Sequence, residues 1–64
     1  MKKEQLKNVF TNELFYHPTT RKIYQRVDTP PFPYDPEFAY AETVEVHEDN
    51  KRPLAFNPDD WVVV

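Results

Sequence analysis

Hydrophobic side chains are densest between residues 13 and 27, ELFYHPTTRKIYQRV, where they flank one polar break. Leu14, Phe15 and Tyr16 precede Pro18-Thr19-Thr20, and Ile23, Tyr24 and Val27 follow it. Aromatic and β-branched residues on either side of such a break predict a β-hairpin. Pro18 drives His17 toward an extended conformation, as the end of a strand requires. Pairing His17 with Lys22 also pairs Tyr16 with Ile23, Phe15 with Tyr24, Leu14 with Gln25 and Glu13 with Arg26. That register sets an aromatic pair and an opposite-charge pair across the strands, each contributing roughly 0.2–1 kcal/mol. With no glycine in the break, a tight primed turn is disfavoured and a wider loop of about four residues on a type I turn is expected. Alternation assigns Leu14, Tyr16, Ile23 and Val27 to one face, read as core. Phe15 and Tyr24, among Glu13, His17, Lys22 and Arg26, fall on the other, read as solvated. A slip of one residue exchanges the two.

The remaining chain is punctuated by shorter patterns. Leu6, Val9 and Phe10 are spaced i, i+3, i+4 within residues 2–10, which predicts a short amphipathic helix. The alternative is one long strand over 8–16. Such a short helix needs packing against the hairpin to persist, and Thr11-Asn12 is the break before the first strand. Residues 28–36 hold Pro30, Pro31, Pro33 and Pro36, a density that excludes helix and central strand and predicts a stiff extended strap. Phe32 and Tyr34 are expected to pin it to the core. Pro30 to Pro33 also has the PxxP spacing that aromatic grooves read. Asp35-Pro36-Glu37 is a helix-start pattern, sufficient for two turns over 35–42. Residues 43–47 alternate as a strand, 48–53 form a polar turn, and Leu54, Ala55 and Phe56 form a strand paired back to 43–47. Asn57-Pro58-Asp59-Asp60 is a second cap-like turn. Trp61-Val62-Val63-Val64 reads as a strand covered on both faces, either in the protein's own sheet or as a hook that docks on a partner. The predicted architecture is a single small domain over 1–64. It is α+β and mostly β, with a short N-terminal helix, a β-hairpin, a proline-rich strap and a small antiparallel sheet.

Composition narrows the chemistry. A 64-residue chain buries only about 60% of the surface its unfolded form exposes, and with no cysteine it has neither disulfides nor thiolate metal sites. A domain of this kind relies on a partner chain or on dense aromatic packing. Aromatics are 16% of the residues, which favours the second route. The chain contains neither glycine nor serine. Phosphate-cradling glycine loops and serine or cysteine nucleophiles are therefore excluded, and left-handed backbone positions are expected at Asn8, Asn12, Asn50 or Asn57. No apolar run approaches the ~20 residues of a membrane span, and no secretory signal opens the chain. The sequence reads as cytosolic, with no membrane partner.

Charge is unevenly spread. Residues 1–28 hold six cations against three acids, net +3, and residues 29–64 hold two against eight, net −6, summing to the overall −3. Such asymmetry marks a two-sided surface unless the halves interleave. His17 and His47 are too few and too far apart for a zinc site, although His47-Glu48-Asp49 offers consecutive ligand types. Asp59-Asp60 and Glu48-Asp49 could form an acid–base pair, but acids beside Pro and Asn act more often as caps. No catalytic residue, metal or cofactor is assigned, and the chain is not expected to be an enzyme.

Two binding readings remain. Phe15, His17, Arg21, Lys22, Tyr24 and Arg26 would form a basic-aromatic surface of the kind that stacks and tracks single-stranded nucleic acid. The other reading is a non-catalytic protein-interaction module. It would be an accessory subunit, inhibitor or regulator of a larger protein, of the sort phage genomes encode, with Phe15, Tyr24, Arg26, Trp61, Val62 and Val64 as partner-binding residues. The acids from Asp35 to Asp60 could also mimic nucleic acid toward a basic partner. His17-Pro18-Thr19 followed by Tyr24-Gln25-Arg26 resembles the second hairpin of a WW domain. There the family's ligand-stacking tryptophan would be Tyr24 and the proline after it Val27, and the family's first tryptophan has no counterpart. The likeness stops at the hairpin and reads as convergence on hairpin chemistry. The protein-interaction reading is preferred.

Overall fold

A computed structural model describes residues 1–44 and 51–64. Its strands are β1 (Lys3–Gln5), β2 (Leu14–His17), β3 (Lys22–Val27), β4 (Ala39–Thr43), β5 (Leu54–Phe56) and β6 (Trp61–Val63). They form one antiparallel sheet in the order β1-β6-β2-β3-β4-β5. The fold is therefore mostly β, with no N-terminal helix. Lys3–Gln5 pairs with Trp61–Val63, and Leu6–Asn8 is a single 3-10 turn. Residues three apart eclipse in such a turn, so the Leu6/Val9 spacing that suggests a helix equally serves a turn that buries both. Phe10, third in the pattern, is exposed. The backbone N–H groups of Leu6 and Lys7 donate to the carbonyls of Asp60 (2.8 Å) and Pro58 (2.9 Å). Partners from the far end of the chain thus replace a helical ladder.

The hairpin adopts the expected register, Leu14↔Gln25 through His17↔Lys22, and the Arg26 N–H donates to the Glu13 carbonyl at 2.9 Å. Its loop has the expected four residues. The Arg21 N–H donates to the His17 carbonyl at 2.8 Å, and Arg21, not an asparagine, takes a left-handed φ of 60°. The other left-handed residue among the described ones, Asn12 (φ 74°), is among those the sequence nominates. It occupies the third position of a Phe10–Glu13 turn closed by Glu13 N–H to Phe10 C=O (3.0 Å). The Asn12 N–H reaches the Arg26 carbonyl at 2.7 Å, so Asn12 and Glu13 together oppose Arg26 as a β-bulge that ends the ladder. Asn12→Gly is expected to change stability by no more than a few tenths of a kcal/mol. Asn12→Val is expected to cost about 1–2 kcal/mol, because its branched Cβ clashes in this region. Urea titration of the two variants separates these outcomes.

The two Asx-Pro segments fold alike, and neither starts a helix. The Asp35 Oδ1 accepts from the Glu37 N–H (2.9 Å), and the Asp35 carbonyl accepts from the Phe38 N–H (3.3 Å). Asn57 repeats this with Asp59 (2.9 Å) and Asp60 (3.0 Å). Each is one turn, followed at once by a strand, β4 or β6. The strand expected over 43–47 thus begins earlier, at Ala39, and Leu54–Phe56 pairs with Ala39–Ala41. Residues 45–47 of that expected strand, and 48–50 of the expected 48–53 turn, lie outside the described residues. Of the two strap aromatics, only Tyr34 packs. Its ring meets Tyr40 edge-on at 5.5 Å, and the Tyr40 hydroxyl donates to the Asp35 carbonyl at 2.7 Å. Phe32 is 96% exposed.

One face of the sheet carries the core: Leu6, Val9, Phe15, Tyr24, Ala39, Ala41 and Val62, with Phe56 and Val64 packed against it. The expected faces of the hairpin are therefore exchanged. Phe15 and Tyr24 are interior, while Leu14, Tyr16 and Ile23 face solvent. Phe15 stacks on Tyr24 at 5.6 Å, and the Phe56 ring lies 6.2 Å and 5.0 Å from those two. Ala39 and Ala41 leave room beside them. A tyrosine tolerates this interior because its hydroxyl donates to Thr20 Oγ1 at 2.9 Å.

Candidate interaction surface

Two of the polar residues that make Phe15 and Tyr24 look solvated turn inward and are only partly bonded: His17 Nδ1 and Arg26 Nε are buried without a hydrogen-bond partner among the described residues. His17 is buried with its ring 5.2 Å from that of Phe56, and His17 Nε2 lies 3.1 Å from Asp60 Oδ2. Arg26 donates through Nη1 to the carbonyls of Val27 (2.6 Å) and Tyr40 (3.1 Å). Burial lowers the pKa of its guanidinium, and the nearby Asp28 carboxylate opposes that shift. Arg26 thus ties β3 to β4 through one amino group, Nη1. With Phe15, His17 and Tyr24 interior, the basic-aromatic surface expected for stacking bases is not formed. Nor can Tyr24 serve as the stacking platform that the WW-like hairpin would need.

The candidate acids have structural partners. Asp59 is 3.1 Å from Lys7 Nζ, and Asp60 meets His17. No group of three metal-ligating side chains occurs among the described residues, and His47, Glu48 and Asp49 lie outside them. No helix among the described residues is long and apolar enough to cross a membrane. Of the C-terminal candidates, Val62 is core and Val64 half-buried, while Trp61 is 59% exposed.

The opposite face of the sheet carries the surface that stands out. Directly paired residues share a face, so the ladders place Lys3, Val63, Tyr16 and Ile23 in one row across β1, β6, β2 and β3. Leu14, Gln25 and Glu42 form the neighbouring row, and Trp61 is paired with Gln5 beyond Val63. Leu14 is 54% exposed and Ile23 49%. An open cavity of about 270 Å³ is lined by Met1, Leu14, Phe15, Tyr16, Ile23, Val63 and Val64. The strap covers this face at Tyr40. Of the residues the sequence nominates for partner binding, the structure places Trp61 here and Val64 at the margin of the cavity. Leu14, Tyr16 and Ile23 escape notice because alternation makes them look like core. The usable signal was the Ala39/Ala41 pair, whose small side chains mark the face that must accept the large rings. No protein-family model, curated protein or solved structure matches the chain.

Proposed function

We propose that the chain is a non-catalytic protein-interaction module that binds through the outer face of its sheet. The observation that carries this reading is the exposure of Leu14, Tyr16 and Ile23 around one open apolar cavity, with Trp61 exposed on the same face, opposite a closed core. Contiguous apolar patches on small proteins mark contact sites, and tryptophan and tyrosine are the residues that dominate binding energy in such sites. An accessory or regulatory subunit of a larger protein needs no more than this surface.

Ile23→Thr and Trp61→Thr test the proposal, since threonine retains strand propensity while removing apolar area. Each is expected to weaken binding of a purified partner by about 2 kcal/mol, some thirtyfold, with stability altered by less than about 1 kcal/mol. Calorimetry against a partner captured by the wild-type chain measures the first quantity, and urea titration the second. Unchanged affinity in both variants would remove the outer face from consideration.

A further inference from the structure

We infer that the outer face pairs two copies of this chain about a two-fold axis. The inference rests on the reading of that face as a protein interface and names the occupant. A two-fold interface must be complementary to itself, and the charges here satisfy that condition. In the order β1-β6-β2-β3-β4, β2 is central. Lys3 lies two strands to one side of it and Glu42 two strands to the other, both on the outer face. Neither makes an ion pair among the described residues. An axis laid over β2 along the strands brings Lys3 of each copy to Glu42 of the other and sets Leu14 and Tyr16 against their counterparts. The two rows are about 7 Å apart along the strand, a stagger that the two long side chains span. A face built for a uniformly acidic or basic partner would carry one sign only.

Size and need point the same way. The molecule is a slab of 33 × 29 × 19 Å, and its broad side exceeds the ~800 Å² that each partner gives to a standard interface. A staple-free 64-residue chain with only one face of its sheet closed gains stability by association. Two such sheets packed face to face about 10 Å apart would bury Tyr16 and Ile23.

Sedimentation equilibrium of the full chain, from low micromolar to millimolar concentration, is expected to show a species of twice 7.7 kDa. Lys3→Glu and Glu42→Lys are each expected to weaken association about tenfold. An equimolar mixture of the two should associate at least as tightly as the wild type, because it sets opposite charges at both contacts. Lys3 is exposed and Glu42 half-buried. Where the wild type is dimeric, each reversal is expected to lower the thermal midpoint and the mixture to restore it, and at dilutions where the wild type is monomeric the midpoints should coincide. A monomer across the whole range, a dimer indifferent to both reversals, or a mixture no tighter than its components would each overturn the inference. If the chain is monomeric but Ile23→Thr loses affinity for another protein, the second copy is excluded and the interface stands. If Ile23→Thr alters neither mass nor binding, both fall.

Discussion

A chain ending at Asp60 is expected to be unfolded. Residues 61–64 read along the sequence as either a strand of the sheet or a hook for a partner, and the structure places β6 inside the sheet. It pairs with β1 through Lys3↔Val63, Glu4↔Val62 and Gln5↔Trp61, and with β2 through Tyr16↔Val63. Lys2 and Val64 exchange two further backbone hydrogen bonds, at 3.2 and 2.8 Å. Removing β6 leaves β1 without a neighbour and opens the core over Leu6 and Val9. The loss of Val62, 1% exposed, withdraws about 1.5–3 kcal/mol of burial. Stranding Leu6 in water withdraws as much again. A domain of this length has a total stability of only about 3–10 kcal/mol, so the deletion exhausts it. Amide dispersion in a proton–nitrogen correlation spectrum reads the result directly. A truncated chain that kept its dispersion would show that β6 is a detachable segment and would restore the hook.

Phe15→Ala is expected to cost about 3–5 kcal/mol, against less than about 1 kcal/mol for Leu14→Ala one residue away. Phe15 is 2% exposed and packs on Tyr24 and Phe56, so truncation opens a cavity at the centre of the core. Leu14 is 54% exposed on the outer face and its loss opens none. The ratio of the two values tests which face of the hairpin is inside, because the exchanged faces reverse it. Urea denaturation of the full chain measures both, and a larger effect at Leu14 would overturn the placement of the core.

The hairpin was legible residue by residue because its determinants are local. Pro18 restricts His17, the glycine-free break demands a wide loop, and the strands then pair in fixed register. The strap was legible only in part: its four prolines exclude helix and central strand, but residues 31–34 close a turn, with the Tyr34 N–H donating to the Pro31 carbonyl at 3.3 Å, where an extended run was expected. The N-terminal turn was not legible, because a three-residue apolar spacing serves helix and 3-10 turn alike and the choice fell to β6, more than fifty residues away. Asp35-Pro36-Glu37 suggests a helix start, where Asn57-Pro58 suggests only a turn, because capping chemistry is shared by turns and helices. Whether such a turn leads into a helix or a strand depends on whether another strand is waiting to pair there.

Local chemistry along the chain settled how the hairpin folds back and in which register, and that serine, cysteine and glycine-loop chemistry is absent. It could not settle which side of the hairpin is interior, because both sides carry apolar residues and strand alternation is symmetric between them. That choice belongs to contacts between distant segments. Ala39 and Ala41 make room for the rings of Phe15 and Tyr24, Phe56 closes over them, and Asp60 meets the buried His17. The candidate interface is set by the same contacts, since it is the face they leave uncovered.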